Sequence, residues 1–375
     1  MRILTVNVGS SSLKLALWEA DREQPITEWK ATSVGTPQAT LAENGREFAR
    51  EPCGDHAAAF EALLRRVPKD CGITAVGHRV VHGGAQYHDA VLLDDAVLAK
   101  LEALVPLSPL HQPPALGVIQ ACRAIFPELS QAAVFDTAFH AGLPPRAATY
   151  AVPATWRDAG VRRYGFHGIA CADVVAQLGD ALRPRAIILH LGAGCSATAV
   201  LNGRSIDTTM GFTPLEGLVM ATRSGDLDPG ALIYIQRACR LSLQQLDHCL
   251  NEESGLLGLS EYSADMRELL RRNDPRAVLA VEVFCYRAAK AVAGLTVALG
   301  GVDQIIFSGG IGEHAASVRR QIGALLDSFG VAIDYHSNDN GAPVVSRPDS
   351  AVEVRVISVD EGRRIARETA ELLKH

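Results

Sequence analysis

One pattern constrains this chain more than any other, because it occurs near the start and again near the middle. An apolar run, Ile3 to Val8, enters the polar turn Gly9-Ser10-Ser11-Ser12 and leaves as Leu13 to Trp18. Within that second run Leu13, Leu15 and Leu17 alternate with the period of a strand. From Arg185 to Leu191 another apolar run, centred on Ile187-Ile188-Leu189, enters Gly192-Ala193-Gly194-Cys195-Ser196 and leaves as Ala197 to Leu201. Asn202-Gly203 then gives a strong hairpin signal. Strand, tight turn, strand thus reads twice, and the repeat predicts two similar α/β halves. The length, 375 residues, suits two domains or three.

Helical segments fill the intervals. Phe60, Leu63, Leu64 and Val67 share one helical face, and Asp94 and Asp95 are N-cap candidates before Val97, Leu98, Leu101 and Leu104. Pro113-Pro114 sits where a helix through Leu116 and Ile119 would begin. Ala132 to Phe135 reads as a buried strand ending in Asp136. Gln304 to Phe307 reads as a strand entering Ser308-Gly309-Gly310-Ile311-Gly312. The helix predicted next carries Val318, Ile322, Leu325, Leu326 and Phe329 on one face. Val354 to Ile357 is a last strand, and Asp360 caps a final helix with Ile365 and Leu372. Ala277 to Gly301 is the most apolar long stretch, but Glu282, Arg287 and Lys290 interrupt it, so it predicts a core or interface helix and not a membrane span.

Several classes of protein are excluded at this stage. A formal charge of −6 without a Lys/Arg cluster argues against nucleic-acid binding. The eight cysteines form no C-x-x-C pair, which leaves no zinc or redox motif and predicts reduced thiols in a cytoplasmic protein. The start, Met1-Arg2-Ile3-Leu4-Thr5-Val6-Asn7, has no apolar leader, which also favours a cytoplasmic location.

The three Gly/Ser turns each follow a buried strand, an arrangement that suits anions because backbone N–H groups converge in a nest that glycine leaves open. Familiar nucleotide fingerprints fail. No G-x-x-x-x-G-K-[ST] occurs, and although Gly192 to Ala197 fits G-x-G-x-x-A, a strand and hairpin follow it where a dinucleotide fold needs a helix. Arg79 lies between His78 and His82 in Gly77 to Gly84, His167 lies in Tyr164-Gly165-Phe166-His167-Gly168, and Arg223 lies in Thr222-Arg223-Ser224-Gly225-Asp226. An arginine fork matches phosphate oxygens. Asp136 and Glu361, each just after a strand, are hard oxygen donors of the kind that suit Mg2+. Glu361 also fits as a carboxylate favouring a helix N-terminus.

These segments resemble, nearly end to end, the acetokinase family of the acetate and sugar kinase/Hsp70/actin superfamily. The resemblance rests on Asn7-Val8-Gly9-Ser10-Ser11-Ser12-Leu13-Lys14, Gly77 to Gly84, Pro109-Leu110-His111 and Phe135-Asp136-Thr137-Ala138-Phe139-His140. It continues through Arg162 to Gly168, His190-Leu191-Gly192, Asp207 to Pro229 and Gly309-Gly310-Ile311-Gly312-Glu313. Met210-Gly211-Phe212-Thr213-Pro214-Leu215-Glu216-Gly217 with Thr222-Arg223-Ser224-Gly225-Asp226 is a highly specific block.

The resemblance implies an α/β fold of two ribonuclease-H-like domains with an active-site cleft between them. Residues 1–136, with the C-terminal helix of about 358–375 packing back, would form the first, and 137–357 a nucleotide-binding and dimerisation domain. It implies reversible, Mg2+-dependent, in-line phosphoryl transfer from ATP to acetate, giving acetyl phosphate and ADP, in a cytoplasmic homodimer without nucleic-acid or membrane partners. Asn7, Asp136 and Glu361 match the metal surroundings; Arg79 and Arg223 match the pair on the phosphoryl group and acyl carboxylate; His167 and His111 match active-site histidines. Val81, Leu110, Phe166 and Pro214 match the acyl-methyl pocket. The phosphate and nucleotide side takes in Ser10, Ser12, Lys14, His190, Gly192, Ala193, Gly194, Gly309, Gly310, Ile311 and Gly312.

Departures from the family pattern are Ala193 in place of an asparagine, Ile169-Ala170-Cys171 in place of Thr-Ser-His, Gln112 after His111, His314 after Glu313, and Val359-Asp360 before Glu361. A propionate or butyrate kinase, and a nucleotide-binding module with impaired transfer, are the alternatives.

Overall fold

The computed structural model describes residues 1–20, 22–68, 70–109 and 111–374. The chain divides into two compact units, the first comprising Met1–Ala141, Gly168–Asp173 and Asp360–His375, the second Gly142–His167 and Val174–Val359.

The first unit is built on an eight-stranded sheet. Its strands are β1 (Arg2–Val8), β2 (Ser12–Glu19), β3 (Thr27–Thr32), β4 (Ala39–Glu43), β5 (Arg46–Glu51), β6 (Ala75–Val80), β7 (Val91–Leu92) and β8 (Ser130–Phe135), in the order β5-β4-β3-β2-β1-β6-β8-β7. Strand alternation sends Leu4 and Val6 to one face, where they pack with Phe60, Leu63 and Val118 of the helices His56–Leu64 and Gln112–Ile125. Ile3 clusters instead with Trp18, Ala75, Ala366 and Ala370, the last two from the terminal helix Glu361–Leu372. Gly77 makes that packing close, since a Cβ there would collide with Ile365 and Thr369. The Asp360 side chain caps the terminal helix by accepting from the Gly362 and Arg363 N–H groups.

The second unit has a five-stranded sheet of β9 (Arg185–Leu191), β10 (Cys195–Leu201), β11 (Arg204–Thr208), β12 (Gln304–Ser308) and β13 (Glu353–Val356), in the order β11-β10-β9-β12-β13. Asn202 and Gly203 both have positive φ, 49° and 78°, which matches the twist of the β10–β11 hairpin. The helix Pro275–Leu299 packs on this sheet and on neighbouring helices, burying Ala277, Ala280, Phe284, Ala288 and Val292 and leaving Leu279, Tyr286 and Val297 exposed.

Each sheet has the same kernel. A first strand is antiparallel to the second, which is antiparallel to the third, while two further strands run parallel on the other side of the first. That is ribonuclease-H-like topology, present in both units.

Several details differ from the sequence reading. Strands β3 to β7 are not predicted: TEWKAT, ATLAE and REFARE carry too many charged and small residues for an apolar period, Gly77-His78-Arg79 interrupts β6, and β7 is only two residues long. The predicted face Val318, Ile322, Leu325, Leu326 and Phe329 is split, with Val318, Ile322 and Leu326 buried and Leu325 and Phe329 exposed. The α-helix Ala316–Leu325 ends there and a 3-10 turn follows, so the 3.6-residue phase is lost. The third Gly-rich segment is not a turn but a short helix, Gly309–His314. Gly309, at φ +75°, supplies the bend out of β12 that a side chain would block against Leu191.

Candidate active site

In the first unit four separated segments deliver polar side chains to one network. Asn7 lies near the end of β1, Arg79 on the neighbouring β6, Asp136 just past the end of β8, and Glu361 at the start of the terminal helix. Parallel pairing of β1 with β6 and of β6 with β8 brings the first three together at one sheet end. Arg79 grips Asp136 with two nitrogens, Nε at 3.1 Å and Nη2 at 2.6 Å from Oδ2. Its Nη1 donates to Asn7 Oδ1 at 3.0 Å and lies 3.7 Å from Glu361 Oε2. Asn7 Nδ2 completes the ring by donating to Glu361 Oε2 at 2.7 Å.

The three charges are differently placed against water. Asp136 is 1% exposed, Arg79 17% and Glu361 20%. Burial pushes the Asp136 carboxyl up, to about 6, with Glu361 adding to the rise while Arg79 opposes it. Burial works against the charge on Arg79, but Asp136 and Glu361 outweigh it and raise its pKa further. Two carboxylates and an amide oxygen around one arginine carry net negative charge and are all hard donors, so the set fits a Mg2+ ion held by one or two carboxylates and water.

The other candidates of this unit are less tightly grouped. Val81 is buried just after β6, and His111 is half-buried at the N-cap of the helix Gln112–Ile125. Leu110 lies outside the described residues. Ser10 is exposed and Ser12 half-buried in the turn closed by Gly9 N–H donating to the Ser12 carbonyl at 2.8 Å. Lys14 pairs with Glu28 at 2.5 Å.

The second unit carries its own polar set at the corresponding end of its sheet. His190 occupies on β9 the place that Asn7 has on β1, and its Nδ1 is 3.2 Å from Ser308 Oγ of β12. The His167 ring lies 4.8 Å from that of His190, and His167 Nδ1 is 3.1 Å from Ser196 Oγ. His167 has φ +60°, in the left-handed region that non-glycine residues seldom adopt. Gly194 is where these groups crowd closest, since a Cβ there would lie 3.0 Å from Arg223 Nη2 and 3.1 Å from His167 Nε2. Arg223 is steadied by its Nη1 donating to the Pro214 carbonyl at 2.6 Å. Phe166 is buried and Pro214 half-buried.

Gly192, Ala193, Gly310 and Ile311 line a cavity of about 570 Å3. Met266, Leu270 and Ala221 supply apolar wall, and Arg267 and His314 polar rim. The segment Ala264–Leu270 was missed in the sequence because nothing in it but the N-cap Asp265 signals more than a short helix. Gly309 and Gly312 are buried, and Gly309 N–H donates to Glu313 Oε1 at 3.0 Å.

Two ribonuclease-H-like units, with glycine-rich strand ends and an arginine held among acidic oxygens, are an arrangement compatible with a phosphotransferase, and the comparisons with known proteins make the class a kinase. The acetokinase family matches residues 2–367. An acetate kinase of Syntrophobacter fumaroxidans is 42% identical over all of this chain and 97% of its own length. Among solved structures, a propionate kinase from Francisella tularensis superposes with TM-score 0.94 at 38% identity, covering 99% of both chains. The Porphyromonas gingivalis acetate kinase does so with TM-score 0.91 at 35% identity, also covering 99% of both. This chain belongs to the acetokinase family.

Proposed function

We propose that the protein transfers the γ-phosphoryl group of ATP to acetate, reversibly, giving acetyl phosphate and ADP. One carboxylate oxygen of acetate forms a bond to the γ-phosphorus, and the bond from phosphorus to the bridging oxygen of ADP breaks. Acetate is already an anionic nucleophile, so no strong base is required. The barrier lies in bringing two anions together and is met by positioning and charge neutralisation.

The observation that carries this reading is the Arg79 network. An arginine held by Asp136 and Asn7 on fixed strand ends is preorganised and always charged. Arg79 and Arg223 neutralise the phosphoryl oxygens and the acyl carboxylate, and His167 donates to the phosphoryl group. His111 is assigned to the same chemistry on the family pattern. Asn7, Asp136 and Glu361 would hold Mg2+, which supplies positive charge to the nucleotide phosphates. The turns that contain Ser10, Ser12 and Gly192 to Gly194, and the helix start at Gly309 to Gly312, offer backbone N–H groups to phosphates.

A second reading has propionate as the acceptor. It is favoured by the structural likeness to a propionate kinase. One methylene is worth only about 1–3 kcal/mol in an apolar pocket. Hydroxylamine trapping of the acyl phosphate with acetate, propionate and butyrate in parallel tests both readings. Most product with acetate supports the first, most with propionate the second, and ATP binding without product from any acid defeats both.

The exposed apolar residues Leu279, Tyr286 and Val297, with Ile233 and Tyr234 of the helix Pro229–Cys239, support a homodimer formed through the second unit. Sedimentation at micromolar concentration should show a dimer, and a clean monomer would refute it. A cytoplasmic location fits the eight free thiols, and among the described residues no helix is long and apolar enough to cross a membrane.

A further inference from the structure

We propose that Asp173 is a positioning residue for the two carboxylates, acting through the segment Gly168–Asp173. The inference rests on the reading that Asn7, Asp136 and Glu361 hold the metal.

Gly168–Asp173 belongs to the first unit, lies apart in sequence from both carboxylates, and touches the elements that carry each of them. At its start, Gly168 N–H donates to the Asp136 carbonyl at 2.8 Å, and a Cβ on Gly168 would collide with that same oxygen. One residue on, Ile169 packs with Val134, on the strand leading to Asp136, and with Ile365, one turn past Glu361. At its end, Asp173 is completely buried and accepts from three donors around Glu361. Arg363 Nη2 donates at 2.7 Å and Nε at 3.2 Å, and the Asp360 N–H donates at 3.0 Å. The residue before Glu361 and the residue two after it are therefore both tied to Asp173.

A buried ion pair is a poor source of net stability, because desolvating the two charges offsets most of their attraction. What this one supplies is direction. The fork of Arg363 admits few geometries, and the Asp360 N–H fixes the backbone where the helix begins. Glu361 Oε2 can then meet Asn7 Nδ2 at 2.7 Å, while Asp136 keeps its grip on Arg79. Partners behind metal ligands typically change metal affinity or activity by about 10- to 100-fold when removed.

The test is an electron paramagnetic resonance titration of Mn2+ with the full chain in saturating ADP, with thermal melting alongside. Asp173→Asn should raise the Mn2+ dissociation constant about tenfold or more. Arg363→Lys keeps a charge but loses the fork, and should also weaken binding; it serves if Asp173→Asn does not fold. Glu361→Gln is the control for the underlying reading. If Glu361→Gln leaves Mn2+ binding unchanged, or the unmutated chain binds none, the metal reading fails. If Glu361→Gln weakens binding while Asp173→Asn lowers only the melting temperature, the positioning role is overturned.

Discussion

Arg223 and Ala193 show how single side chains set the chemistry of the second unit. Arg223 is fixed by the Pro214 carbonyl and lies against Gly194 together with His167. An arginine stabilising phosphoryl transfer is worth about 10³–10⁵ in rate. Arg223→Ala should therefore lower turnover about 10³-fold or more, measured as acetyl phosphate formed at saturating substrates, and a loss under about tenfold would remove it from the mechanism. Ala193 lines the 570 Å3 cavity where the family pattern has an asparagine. A hydrogen bond to a charged group is worth about 1.5–3 kcal/mol, so Ala193→Asn should lower KM for ATP about tenfold. An unchanged KM would mean that the amide has no phosphate to reach. At this scale the motifs gave Asn7, Arg79, Asp136 and Glu361 their identities but not their bonding. No spacing in the sequence reveals that Arg79 Nη1 faces Asn7 Oδ1. Asp173 has no signal in the sequence, since a lone carboxylate inside an apolar helix carries no motif.

At the scale of elements, the terminal helix is the piece whose placement matters most, because it starts with Glu361. It lies flush on β6 only because residue 77 is glycine. Gly77→Ala forces Ile365 and Thr369 away, an overpacking that typically costs about 1–3 kcal/mol. Urea unfolding should show that loss, and Mn2+ affinity should fall with it; full stability in the variant would show that the helix has room to shift. The strand–turn–strand repeats were legible because an alternating or continuous apolar run followed by Gly and Ser has few other solutions. Strands β4 and β5 are not legible, since the residues that anchor them in the core, Ala39 and Leu41 on β4 and Phe48 and Ala49 on β5, are too few and too interspersed with charge to give a readable apolar period, and ladder bonds to β3 and to each other complete their placement. The end of the helix Ala316–Leu325 was also hidden, and with it the exposure of Leu325 and Phe329.

Over the whole molecule, stability should depend on pH through two histidines beside the Arg79 strand. Burial depresses the pKa of both His78 and His82 from 6.5 to about 4. The unfolded chain takes up these protons near pH 6.5, while the folded chain refuses them until about pH 4. Their contribution is thus present above pH 6.5 and is lost as pH falls toward 4, by about 1.4 kcal/mol per pH unit for each histidine. Asp136 works the other way, since its raised folded pKa favours the folded state below its ordinary range and loses that benefit as pH rises through about 6. Asp207, Asp226, Asp360 and Glu368 are raised by burial in the same way and act with Asp136, while His56 acts with the other two histidines, so the slope of the denaturant midpoint between pH 7 and pH 5 sums two opposed sets and the histidine share is read by substitution. His78→Gln should remove one histidine's share from that slope; a slope unchanged in His78→Gln would exclude the buried histidine as a cause.

The two α/β halves, the acetokinase family and the residue types its chemistry needs can all be read along the chain alone. Apolar periodicity, turn residues and contiguous motifs are local properties, and they survive in a one-dimensional reading. Only the tertiary structure decided which of these residues meet. Asn7, Arg79, Asp136 and Glu361 come from distant parts of the chain, and strand register and helix packing bring them within hydrogen-bond distance. Long-range pairing also decided the apolar wall at Met266 and Leu270, and the burial of Asp173 against Arg363. The physical reason is that burial and hydrogen bonding depend on what lies across a contact, and a sequence records only what lies alongside.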